Sequence, residues 1–179
     1  MHREESTLEH VKQLDDLSRE DLIRLLQVFA KNWLAHDGCW FLATEDKFDL
    51  DTAIDRDTAA WHLYAPVEAK RIMDFLGIKP GGGLKALERV LQFRQYAVIN
   101  RQSAEWIDEH TLVFKMIDCR VQQARRRKNL PDFPCKPVGT VEFSRFAEAV
   151  DPRIHTECIA CPPDKVEDFF CAWRFTIAG

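Results

Sequence analysis

The sequence predicts an α+β fold, a helical N-terminal half packed on a C-terminal antiparallel sheet of about four strands. Three observations predict it. Apolar residues recur at helical spacing up to about residue 94; β-branched and aromatic residues gather in short runs from Tyr96 onward; and two of those runs are separated by only three polar residues. At 179 residues and 46% hydrophobic, the chain is long enough for a full core, so a metal is not needed for folding as such. The expected division is an N-terminal extension (1–17), a helical region (18–94) and a sheet with a helix and a cysteine-rich tail (95–179), integrated in one domain.

Ser18, with Asp21 three residues on, reads as a helix N-cap. Leu22, Leu25, Leu26, Phe29, Trp33 and Leu34 follow at helical spacing, so a long amphipathic helix is expected over about 19–35, with Gly38 as a break after it. "DRDTAAWHLYAPVEAKRIMDFLGI" reads as a second helix, bent at Pro66 and closed by Gly77. "PGGGLKALERVLQF" gives a turn and a shorter helix. "YAVINRQSAEWI" and "TLVFKMIDCRV", joined by "DEH", predict a β-hairpin.

"QQARRRKNLPDF" predicts a short helix running into a loop. "KPVGTVEFSRFAEAVDP" predicts a helix with Phe143, Phe146, Ala147 and Val150 inward and Pro152 beyond its end. "RIHTECIA" and "FFCAWRFTI" flank the turn "CPPDKVED" as a second hairpin, with Phe169, Cys171, Trp173, Phe175 and Ile177 alternating onto one face.

The formal charge of −4 argues against a general nucleic-acid binder, which would carry a basic balance or stripe. The charged N-terminus lacks the apolar run of a signal peptide, and no stretch approaches the ~18 apolar residues of a membrane span. A cytoplasmic protein is therefore expected, with no membrane partner. In a reducing compartment six cysteines point to metal binding or catalysis before disulfides.

Cys39 and Cys119 stand apart in sequence and read as small core hydrophobes. Cys135, Cys158, Cys161 and Cys171 share a short span. Cys158-x-x-Cys161 can turn two thiolates toward one tetrahedral ion, Cys171 returns on the neighbouring strand roughly opposite Cys158, and Pro-flanked Cys135 can supply a fourth. These four are the expected metal ligands. All-sulfur ligation favours zinc, with an iron–sulfur cluster second. Two other readings stand beside it: structural thiols, favoured by Cys171 on an apolar face, and a redox pair, disfavoured because "PPD" rather than a helix follows Cys161.

His36 and Asp37 at the expected helix end, with Glu45 further along, are candidates for a ligand or base, or for a dipole-offsetting helix terminus. His62, His110 and His155 read as surface. Arg125–Lys128 read as a solvated face or, more sharply, as a grip on an anionic ligand's carboxylate. "GGG" at 81–83 lacks the Lys-Ser/Thr of a P-loop, and no G-x-S-x-G, H-E-x-x-H or Rossmann fingerprint occurs.

The motifs "HDGCWFLATE", "CRVQQARRRKNLPDFPCKPVG", "FAEAVDPRI" and "CIACPPD…CAWRF" resemble a bacterial and archaeal family of small cytosolic proteins related to the L-2-amino-thiazoline-4-carboxylic acid hydrolases, over residue 20 to the C-terminus. From Cys135 onward the tail is similar to the vinyl-4-reductase type of ligand-binding domain. That second resemblance implies zinc on residues matching Cys135, Cys158 and Cys171; Cys161 is outside its pattern, and Cys119 is its rival for the fourth position. The first implies opening of a small sulfur–nitrogen heterocycle bearing a carboxylate, with Cys119 or a metal-bound water attacking and Arg125 holding the carboxylate.

The resulting expectation is a zinc protein with a pocket involving His36, Glu45, Cys119 and Arg125, acting on or binding a small anionic molecule. Three function classes follow: a hydrolase of C–N or C–S bonds, a ligand-binding or sensory module with a structural zinc, and an interaction protein forming a homodimer through exposed aromatic residues of its long helices.

Overall fold

The computed structural model describes residues 12–178, so most of the expected N-terminal extension lies outside the described residues. A short 3-10 turn (Leu14–Asp16) precedes α1 (Arg19–Lys47). Ser18 caps α1 by accepting the Asp21 N–H at 3.1 Å, as the sequence predicts. The helix then runs on through Gly38, where a break was expected. A glycine inside a helix costs only about 1 kcal/mol against alanine. Packing just beyond it offsets that cost, since Phe41 sits edge-on to Phe133 at 5.0 Å. His36 is consequently mid-helix and exposed rather than at a helix end.

A second departure concerns the face of α1. Ala30 is its one buried residue, while Leu22, Leu26 and Phe29 are exposed. Trp33 anchors it, stacking on Tyr64 and meeting Trp61 and Tyr96 edge-on.

α2 (Leu50–Leu76) starts at Asp49, whose carboxylate accepts the Thr52 N–H at 2.6 Å, contains Pro66, and ends at Gly77. Gly77 takes φ +68°, the left-handed conformation that closes a helix, and its N–H meets the Asp74 and Met73 carbonyls. Ala65 and Ala69 are fully buried, and these small side chains let α2 lie close against α6 (Lys136–Val150), its most extensive neighbour. α3 (Gly83–Leu91) buries Leu84, Leu87, Val90 and Leu91.

Residues 95–99 form α4 (Gln95–Ile99), not the strand that "YAVI" suggests. Tertiary contacts override the local β preference here. Tyr96 stacks on Trp61 with ring centroids 6.1 Å apart. The side chain of Arg94, at the N-cap of α4, is buried between Glu68 and Glu142, with its guanidinium over Phe146.

The sheet contains β1 (Gln102–Asp108), β2 (Thr111–Met116), β3 (Ile154–Ala160) and β4 (Cys171–Ile177), in the order β1-β2-β4-β3 and antiparallel throughout. Both predicted hairpins form, and β4 lies between β2 and β3. Its Trp173 and Phe175 are fully buried against α6, where Phe143 stacks on Trp173 at 4.7 Å. Gly139 is the close approach that permits this: a Cβ there would meet Trp173 Cζ2 at 2.7 Å. α5 (Arg120–Arg127) leads into the loop before α6.

The register of β3 on β4 differs from expectation. Cys158 pairs with Trp173, and a bulge between Cys158 and Ala160 brings Ala160 opposite Ala172. Cys171 stands opposite Met116 of β2, two positions from the Cys158–Trp173 pair. Because the inserted residue shifts later pairings by one, the β3-side residue that comes level with Cys171 is Cys161 instead of Ala160. Among the described residues no helix is long and apolar enough to cross a membrane.

Candidate ligand cavity and thiol cluster

A cavity of about 420 Å³ opens between the helical half and the sheet. Its walls come from distant parts of the chain: Asp37 and Phe41 of α1, Asp57 and Trp61 of α2, Tyr96 of α4, Glu142 of α6, and cysteines of the tail.

On the cysteine wall, Cys135 is the N-cap residue of α6, with Pro137 fixing the first turn behind it. Fully buried Gln122 holds the preceding loop from α5, donating to the Phe133 carbonyl and accepting its N–H, both at 2.8 Å, and its amide reaches Cys135 Sγ at 3.6 Å. Cys161 follows the end of β3. Its N–H donates to Asp164, which pairs with Lys136 of the first turn of α6. These ties bring Cys135 Sγ and Cys161 Sγ to 3.2 Å.

Cys171 neighbours Cys161 and accepts from the Trp173 indole N–H at 3.4 Å. The neighbouring Cys135 and Cys171 sulfurs, then burial, push the Cys161 thiol far up; the neighbouring Cys161 thiol pulls the Cys171 thiol down despite its burial. Cys158, half-buried on β3, is raised by burial, with Lys136 opposing and Cys171 and Cys135 among its electrostatic neighbours. Among the described residues no three His, Cys, Asp or Glu side chains already stand in the arrangement of metal ligands. What is present is a sulfur pair with the Cys171 thiol as its neighbour.

Cys119 caps α5 and lines the cavity, its thiol pushed up to about 12 by burial. Cys39, expected in the core, is exposed at the cavity's α1 wall, because α1 turns that side outward. Arg125 is buried, but its fork is occupied: Nη1 and Nη2 donate to the two oxygens of Glu45 at 2.7 and 3.0 Å, and Nε to the Pro131 carbonyl. That pairing holds Glu45 below the usual carboxylate range. Of the four candidate pocket residues, Cys119 and Arg125 line the cavity, Glu45 engages Arg125, and His36 faces outward.

The opposite wall carries carboxyl groups. Burial, then the charges of Asp37 and Glu142, push Asp57 up to about 7, with the Trp61 indole opposing. Burial also raises Asp37 and Glu142. Among the described residues no cationic side chain pairs with Asp37 or Asp57; Arg94 is taken by Glu68 and Glu142 and Arg125 by Glu45, while Lys31, Arg120, Arg127 and Lys128 also line the cavity and form no ion pair with a described carboxylate. Sequence reasoning missed Asp57, Tyr96 and Glu142. They lie on three separate helices, and no spacing along the chain reports that they share a wall.

No curated protein and no solved structure matches the chain. One family, DUF6125, described as a family of unknown function, has a model that matches residues 13–177. That span takes in both walls of the cavity, from Asp37 to Trp173. The chain therefore belongs to the DUF6125 family.

Proposed function

We propose that the protein binds a small molecule in this cavity, beside a structural zinc held by Cys135, Cys158, Cys161 and Cys171. The observation that carries the reading is the 3.2 Å approach of Cys135 and Cys161, 26 residues apart, with Cys171 a neighbour of the same thiol. Zinc with Zn–S bonds of ~2.3 Å sets tetrahedral sulfurs about 3.8 Å apart, so the pair would open by roughly half an ångström to admit it. Four soft sulfur donors suit zinc, and a closed four-thiolate site braces structure rather than presenting an open position. Bound there, zinc would tie the start of α6, the end of β3 and the start of β4 into one wall.

The ligand's charge follows from the part-buried acids that the cavity leaves without an ion-pair partner. The sequence-based expectation was an anion gripped by Arg125, but Glu45 takes that fork. Asp37, Asp57 and the Tyr96 ring remain, flanked by the faces of Trp61 and Phe41; Lys31, Arg127 and Lys128, which also line the cavity, are exposed to solvent, and Arg120 donates to the Ile99 carbonyl. This lining suits a compact, partly apolar molecule that brings an amine or similar donor, with aromatic faces adding cation–π attraction.

Elemental analysis of the purified protein tests the metal, with one zinc per chain expected and a loss in Cys161→Ser. Thermal shift with small aromatic amines and their carboxylate counterparts tests the ligand class. Amines should raise the melting temperature of the wild type but not of Asp57→Asn; stabilisation by the carboxylates alone would refute the charge assignment.

A second reading, hydrolysis of a small sulfur/nitrogen heterocyclic carboxylate, draws support from Asp57. A cavity carboxyl near neutrality can take and return a proton. Cys119, with its thiol at about 12, is a poor nucleophile for it. Turnover of 2-amino-thiazoline-4-carboxylate that disappears in Asp57→Asn while zinc is retained would establish this reading over pure binding.

A further inference from the structure

The N-terminal half of α1 carries apolar side chains that no described residue buries. Leu22 is 40% exposed, Leu26 58% and Phe29 56%, while Leu25 between them is half-buried. At 3.6 residues per turn, positions 22, 25, 26 and 29 fall within an arc of about 100° and form one seam. Ile23 and Val28, also exposed, lie off it.

The order of residues in this segment points to what covers the seam. Residues 22–29 read Leu-Ile-Arg-Leu-Leu-Gln-Val-Phe, apolar and polar in a pattern that is the same in both directions. An interface between identical copies related by a two-fold axis must be self-complementary. An antiparallel second helix centred between Leu25 and Leu26 meets that condition: Leu22 falls opposite Phe29, Leu25 opposite Leu26, and Arg24 opposite Gln27. The flanks carry no like charges across the axis, since Arg19 falls opposite Asn32 and Asp21 opposite Ala30.

The apolar area comes close to what a small interface needs. At ~200 Å² for a fully exposed side chain of this size, the three exposed seam residues offer about 300 Å² per copy and about 600 Å² for the pair. Specific interfaces begin near ~1,200 Å² with somewhat more than half of it apolar, so the seam supplies nearly all the apolar area the smallest of them need.

We infer that the protein is a two-fold homodimer whose copies pair through antiparallel α1 helices along Leu22, Leu25, Leu26 and Phe29. The seam is separate from the cavity wall, which α1 builds further along with Asp37 and Phe41.

Sedimentation velocity of the full chain over a range of micromolar concentrations tests the inference. A species of twice 20.8 kDa is expected. The double variant Leu26→Glu, Phe29→Glu should sediment as a monomer and weaken association at least 100-fold. Both positions are exposed in the single chain, so its far-UV circular dichroism and its zinc content should match the wild type. A photo-crosslinking benzoylphenylalanine placed at position 22 should join the segment around Phe29 of the other copy. A wild-type monomer at 100 μM, a dimer that survives the double variant, or a crosslink from position 22 to the segment around Leu22 would each overturn it.

Discussion

Replacing Arg94 with methionine should cost the fold about 4 kcal/mol. The guanidinium is buried, donates from Nε to Glu68 at 2.9 Å and from Nη2 to Glu142 at 2.7 Å, and lies 4.5 Å above the Phe146 ring. Burial works against its charge, yet the two carboxylates hold it protonated. Methionine keeps much of the stem's volume but strands two acids in the core, and removing one partner of a buried ion pair costs about 3–5 kcal/mol. For a domain of this size each kcal/mol lowers the melting temperature by about 2–4 °C, so a fall of about 8–16 °C is expected. The deficit should also depend on pH. Burial already raises Glu142 above its ordinary 4.5, and without Arg94 the rise must grow. An acid whose folded value exceeds its unfolded one loses stability as pH climbs above the unfolded value. The deficit in urea unfolding should therefore be larger at pH 8 than at pH 5. Adding Glu68→Gln and Glu142→Gln should recover most of it. A loss under about 1 kcal/mol, or one equal at both pH values, would refute the ion triad as the organiser of this core.

Three further outcomes follow from single contacts. Gly139→Ala should destabilise the protein by about 2 kcal/mol, because its methyl group would press on the immobile Trp173 ring at 2.7 Å; an unchanged near-UV spectrum and melting temperature would contradict that packing. Asp151 accepts hydrogen bonds from Arg153 and from the Gly83 N–H, which hold its carboxyl at about 2. Its contribution is complete above the ordinary 3.8 and is lost as pH falls through about 2, so Asp151→Asn should be weaker than wild type at pH 6 and converge with it near pH 2. A gap that stays constant to pH 2 would dismiss the linkage. Iodoacetamide at neutral pH should modify exposed Cys39 well before Cys119, whose thiol burial raises to about 12. Faster labelling at Cys119, read by peptide mass spectrometry, would restore it as a candidate nucleophile.

Local chemistry made much of the fold legible. The Ser18 cap, the Gly77 stop, the polar turn before Thr111 and the inward set Phe143, Phe146, Ala147 and Val150 all act within a few residues, and each stands where the sequence predicts. Failures arose where distant contacts decide. α4 is helical because Arg94 and Tyr96 are drawn toward α2 and α6, and α1 passes Gly38 because Phe41 packs on Phe133.

The site was legible on its sulfur side and at single residues such as Asp37 and Arg125, but not as a wall of acids. Close spacing flags Cys158 and Cys161, but the bulge after Cys158 decides that Cys171 meets Cys161, the residue outside the resemblance-based set. The carboxyl wall was illegible because Asp37, Asp57 and Glu142 come from three helices and meet only in the packed fold. Arg125 was read as free because its partner, Glu45, lies 80 residues away.

X-ray absorption at the zinc edge of the purified protein tests the central claim most directly. The account predicts one zinc per chain with a shell of four sulfurs at ~2.3 Å, reduced in number when Cys135 or Cys161 becomes serine. A protein free of zinc that takes none up, or a shell dominated by nitrogen and oxygen, would contradict it.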